Sequence, residues 1–246
     1  MTIPVFSTVR SQDHRSAMSA ILLLLPVAAA VVIFAAKAEN AQKYAWIIRE
    51  DGPVEWLTAV LYLAAAALAV VASGRLWRNE RVYAVLYLVF AGGLFVIAGE
   101  EASWGQRVFD YATPEAVSAI NEKDEFNFHN VSGFPLHLAF ISVGLYGAFG
   151  RILLTPLLGE RAPRALELLT APRSLAHFFL LPALLYIYYE LVPVLHDVPQ
   201  GMTVPEFLEP RFVSGKEQEP FELMLGFGFF LFAVQALGKA RTRSPV

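Results

Sequence analysis

Glu100 and Glu101 stand side by side at the end of the apolar run from Val82 to Ala98, and Ser103, Trp104, Gln106 and Arg107 follow at once. Charges this close to hydrocarbon depth need a partner, a proton or a wet cavity, so an acid placed there is a site hypothesis in its own right. Repulsion between neighbouring carboxylates in low dielectric sharpens the problem, unless a cation or hydrogen-bond donors compensate. The chemistry such a pair offers is general acid–base transfer or capture of a cation.

A second polar stretch, 124–130, reads DEFNFHN. Polar and aromatic residues alternate, so an extended segment puts Glu125, Asn127 and His129 on one face, with Asn130 at its end. His137 follows eight residues later, and Glu190 and His196 close the fifth apolar run. Three groups of candidates result. Glu100, Glu101 and His129 are the candidate catalytic residues. Ser103, Trp104, Gln106, Arg107, Glu125, Asn127, Asn130 and Glu190 are candidate binding residues. Glu101, His129, His137 and His196 form a candidate donor set for a divalent metal such as Zn, Mn or Fe, or for a proton relay. No H-E-x-x-H or H-x-x-x-H spacing accompanies them. The simpler alternatives are a salt-bridged helix end anchored by Trp104 and a structural loop histidine. A helix end of that kind accounts for one acid and one base, but not for two adjacent acids.

These residues must be carried by membrane-spanning elements. The chain has 246 residues, 56% of them hydrophobic and 17% charged, with a mean hydropathy of +0.50; no ordinary soluble domain has that balance. Six apolar segments of spanning length are expected at about 17–36, 53–73, 82–102, 134–154, 175–195 and 220–238, giving a single all-α polytopic domain. Gly92 and Gly93 in the third span predict close approach of a neighbouring helix. If that helix continues past Ala102, then Glu100, Ser103, Trp104 and Arg107 share a face, with Ser103 between Glu100 and Arg107. The segment 39–51, with Tyr44 and Trp46 among charges, suits a short interfacial helix, and 165–169 a short surface helix. Pro53-Val54-Glu55 and Pro220-Phe221-Glu222 open two spans alike, and helix-start capping explains both glutamates.

Charge distribution predicts orientation. With six spans, the end that carries both termini holds twelve Lys and Arg against four acids, net +8, and the opposite end seven against eighteen, net −11. The positive-inside rule then puts both termini in the cytoplasm and the acidic end, with Lys123 and Lys216, outside. There are no cysteines, which excludes disulfides, thiolate metal sites and cysteine nucleophiles. No glycine-rich phosphate loop, G-x-S-x-G elbow or basic, aromatic-interleaved surface is present, which argues against soluble nucleotide enzymes and nucleic-acid binding.

Gly99-Glu100-Glu101-Ala102-Ser103-Trp104-Gly105-Gln106-Arg107, followed by Asn127-Phe128-His129-Asn130, resembles the G-E-E-x-S-W-G-Q-R and N-x-H-N pattern of uncharacterised bacterial multi-pass membrane proteins. The resemblance covers about thirty residues and implies an inner-membrane location but no activity. Three functional classes are carried forward. One is a membrane-embedded enzyme acting on a lipid or lipid-linked substrate. The others are an ion- or proton-coupled transporter and a non-catalytic subunit of a membrane complex. Polar residues gathered at one interface, without paired broken helices at the midplane, favour an enzyme or binding site over a transporter.

Overall fold

The computed structural model describes residues 5–49, 51–121, 124–131, 133, 135–158, 162–196 and 218–240, with side chains described throughout these except at 5–16, 162 and 192–196. Among the described residues ten α-helices follow one another: α1 Val5–Glu39, α2 Ala41–Ile47, α3 Pro53–Leu76, α4 Arg81–Glu101, α5 Gln106–Phe109, α6 Glu115–Ser118, α7 Leu136–Leu158, α8 Ala162–Leu169, α9 Ala176–His196 and α10 Gln218–Lys239. Six of them are long and apolar enough to cross a membrane. The spans lie within a few residues of the expected positions, except that α1 runs back to Val5. The expected interfacial and surface helices are α2 and α8.

Small residues at alternating three- and four-residue spacing hold the centre. On α4 the buried positions are Ala84, Tyr87, Ala91, Leu94 and Ala98, and they face Ala65, Ala69 and Ala72 of α3 and Ala233 and Ala236 of α10. In lipid, where burial of apolar surface gives no drive between helices, close backbone approach and dense van der Waals contact do the work. Alanines rather than glycines provide it here. Gly92 and Gly93 are exposed, and a Cβ at either would meet nothing within 4 Å, so the expected close approach at that pair does not occur. It occurs instead where α7 meets α9: a Cβ on Gly144 would come within 2.6 Å of the Phe179 carbonyl oxygen, and one on Gly147 within 2.3 Å of the Phe179 ring.

The main packing runs α4 on α3, α3 on α10, α10 on α9 and α9 on α7, with α1 along α9. Among the described residues α4 and α7, at the two ends of this series, are not a main packing pair. At the basic end α8 lies across the bundle and ties it together. Arg164 makes a two-pronged ion pair with Glu80 (2.6 and 2.8 Å) and also reaches Glu167. The hydroxyls of Tyr87 on α4 and Tyr146 on α7 donate to the carbonyls of Leu168 and Leu169 at 2.6 and 2.8 Å. Lys239 of α10 donates to the carbonyl of Glu167 at 2.9 Å.

Candidate functional site

At the acidic end α4 stops at Glu101 and the chain turns sharply. Ser103, Trp104 and Gly105 have φ of 43°, 53° and 83°, left-handed conformations that cost about 1–2 kcal/mol for a residue with a Cβ. Side chains hold the turn. The Tyr111 hydroxyl donates to the carbonyls of Ser103 and Trp104 at 3.3 and 3.2 Å. The Trp104 ring folds back over Gly99, where a Cβ would lie 2.9 Å from it, and meets Phe95 edge-on. The expected polar stripe on a continuing helix is therefore not formed. Ser103 and Arg107 turn away from Glu100 and join a different group.

That group is centred on Glu125, which is 3% exposed. Its Oε1 accepts from Arg107 at 3.1 Å, and its Oε2 from Asn127 at 2.8 Å, Asn130 at 3.2 Å and Ser103 at 3.5 Å. A buried carboxylate requires this number of donors. Asn121 donates to the backbone and side-chain oxygens of Asn127, both at 2.9 Å. Gln106 donates to Thr113 at 2.8 Å and accepts from the Phe126 backbone at 2.7 Å. Arg107 also pairs with Asp51 at 2.7 Å, joining the loop before α3 to the loop after α4. Burial pulls the Arg107 guanidinium down, but the Asp51 and Glu125 carboxylates outweigh it and hold it above its ordinary value. Glu125 and Asn127 are buried together, as alternation predicts. Most of the candidate binding residues thus form the core of a loop, while Asn130 and, on α9, Glu190 line a cavity wall.

The cavity next to this knot is the candidate site. A chamber of about 410 Å³ opens between α3, α4, α7 and α10, apolar apart from Tyr62, Glu100, Glu101, His129 and Glu222. Glu100 is saturated: it accepts from Trp104 Nε1 at 2.7 Å and from the backbone amides of Phe128 and His129 at 2.6 and 3.0 Å. Its Oε2 also lies 3.5 Å from His129 Nδ1. Glu100 therefore fixes the loop carrying His129 and stands beside its imidazole. Glu222 accepts from the buried Tyr186 hydroxyl. It is the fifth residue of α10, beyond the first turn, so helix-start capping does not describe it. Glu55, the third residue of α3, does behave that way and accepts from the Asp51 amide.

Beside the chamber lies a vestibule of about 590 Å³, lined by His129, Asn130, His137, Glu190 and Gln218 among others. His137 Nδ1 meets Glu190 Oε1 at 2.6 Å, and its ring packs against Tyr186 and Tyr189. His129 lines both spaces. Among the described residues no group of three or more His, Asp or Glu side chains is placed to hold a metal ion. The described part of the candidate metal set, Glu101, His129 and His137, is thus not gathered as a metal site, and the His196 side chain lies outside the described residues, as do Lys123 and Lys216. The sequence brings Glu222 to the same membrane face as the other acids and histidines, but it gives Tyr62 and Tyr186 no place among the site candidates. A hydroxyl within an otherwise apolar span, as at Leu61-Tyr62-Leu63, was the available signal.

The chain matches no protein-family model, no curated protein and no solved structure.

Proposed function

We propose that this integral membrane protein is an enzyme that acts on a lipid or lipid-linked substrate from the outer leaflet of a bacterial inner membrane, with both termini in the cytoplasm. The orientation rests on the +8 and −11 charges of the two ends and the positive-inside rule. The observation that carries the reading is a chamber with an apolar body and a polar head, in which His129 faces both the chamber and the vestibule. His129, beside Glu100, acts as general base on a group presented from the chamber, with water or a second substrate arriving through the vestibule. Glu101 and Glu222 bind the polar head. A carrier has less support, because among the described residues lining the chambers the carboxylates all lie at one end. Kinship with the multi-pass bacterial proteins that share the G-E-E-x-S-W-G-Q-R stretch belongs to the same proposal.

The test is a comparison of lipid extracts by mass spectrometry from cells expressing the wild-type protein, His129→Asn or an empty vector. Wild type should deplete one lipid species and accumulate another, and His129→Asn, inserted at the same level, should match the empty vector. Identical extracts from all three would reject the enzyme.

A further inference from the structure

The chamber at the acidic end does not stand alone. A second cavity of about 550 Å³ lies deeper between α4 and α7, and the two share Ile97, Val143 and Phe229 as walls. Together they follow α4 from Glu101 down to Tyr87, fourteen residues, or about 21 Å at 1.5 Å per residue. That is longer than one leaflet, about 15 Å for half of a 30 Å hydrocarbon core. The deeper cavity is lined almost wholly by apolar groups, and its Tyr87 and Tyr146 hydroxyls are already spent on α8 carbonyls. Leu86, Val96, Val143 and Tyr146 line this groove yet remain exposed, so it opens sideways at bilayer depth. An occupant must therefore be a chain drawn from the membrane. The head end selects for charge. Among the described residues, Glu100, Glu101 and Glu222 line it and no Lys or Arg does, while the neighbouring Arg107 is held by Asp51 and Glu125.

We infer that the groove between α4 and α7 binds a single long-chain lipid whose head presents a hydroxyl or an ammonium group, rather than a phosphate or carboxylate, to Glu101 and Glu222. This rests on the reading of the outer chamber as a lipid site and specifies the class of lipid. Among the described residues lining the chamber, an anionic head would meet three carboxylates and no Lys or Arg, whereas a donor head finds acceptors in a low-dielectric chamber where each contact is strong.

The glycines of α4 supply the test. A Cβ on Gly93 or Gly92 meets nothing within 4 Å, but only Gly93 lines the groove. Gly93→Phe should plug it, and Gly92→Phe is the matched control for a bulky ring on the same helix. The purified protein in phosphatidylcholine nanodiscs is photolabelled with a long-chain alcohol carrying a mid-chain diazirine, and separately with the corresponding amine. Labelled residues are mapped by mass spectrometry. Labelling is expected at Phe90, Ile97 and Val143, to fall about tenfold in Gly93→Phe and to persist in Gly92→Phe. Unlabelled alcohol or amine should compete, and an alkyl phosphate or fatty acid of equal length should not. Glu222→Gln should weaken labelling by the amine more than by the alcohol, which tells the two head chemistries apart. Equal labelling of the two glycine variants, or equal competition by the anionic lipids, would overturn the inference. Groove labelling in a protein whose expression leaves the lipid extract unchanged would support the inference and reject the enzyme.

Discussion

Trp104 Nε1 donates to Glu100 Oε1 at 2.7 Å, across a turn in which the indole doubles back on the helix it has just left. The bond makes Trp104 a member of the site's frame rather than an interfacial anchor. It also explains why the residue beneath the ring is Gly99.

Gly99→Ala should therefore destabilise the protein although alanine favours helix. The new methyl would lie 2.9 Å from the Trp104 ring, and displacing the indole loosens both the left-handed turn and one donor to Glu100. A loss of about 1–3 kcal/mol is expected, the usual cost of overpacking. Thermal unfolding in detergent reads it, and Gly92→Ala should show no such loss.

Glu125 and Asp51 both hold Arg107, yet they should differ sharply on mutation. Glu125→Gln removes the charge at the centre of a buried network and should cost about 2–4 kcal/mol. Asp51 is 41% exposed in its pair with Arg107, so Asp51→Asn should cost less than about 1 kcal/mol. Comparable losses in the two variants would mean that Glu125 is not the centre of the knot.

Glu55 and Glu222 sit in the same Pro-x-Glu motif and should separate by function. Glu55→Gln should lower stability by about 1 kcal/mol or less, the scale of a cap or dipole interaction, and leave turnover of lipid unchanged. Glu222→Gln keeps the volume and the contact to Tyr186 within reach, so it should fold and insert normally but lose lipid turnover. Normal turnover in Glu222→Gln would return it to a structural role.

Orientation is open to direct measurement because the chain has no native cysteine. Arg78 and Asp110 are both exposed, at opposite ends of the bundle. In intact cells an impermeant thiol reagent should label Asp110→Cys but not Arg78→Cys. The reverse pattern would invert the proposed topology.

The architecture was legible because spanning length and hydropathy are properties of contiguous sequence: α3, α4, α7, α9 and α10 all begin and end near the expected residues. The site was only half legible. Glu100 and His129 could be paired from their unusual positions, but the left-handed run at Ser103 and Trp104 has one glycine in three residues and gives little local warning. Helical periodicity carried through that turn, and so Arg107 was placed beside Glu100 when it belongs to Glu125. Glu222 was hidden by its resemblance to Glu55. Its place as the fifth rather than the third residue of its helix, and the crossing of α9 that brings Tyr186 to it, distinguish the two.

The crossbar formed by α8 has a mechanical consequence. It grips α4 through Tyr87, α7 through Tyr146, the α3–α4 turn through Glu80 and α10 through Lys239. The two walls of the groove are thus fastened at one end and joined at the other mainly by the hydrogen bonds of a loop. The bundle is built like a clothes-peg, clasped at α8 and more lightly joined at the Glu100 and His129 end.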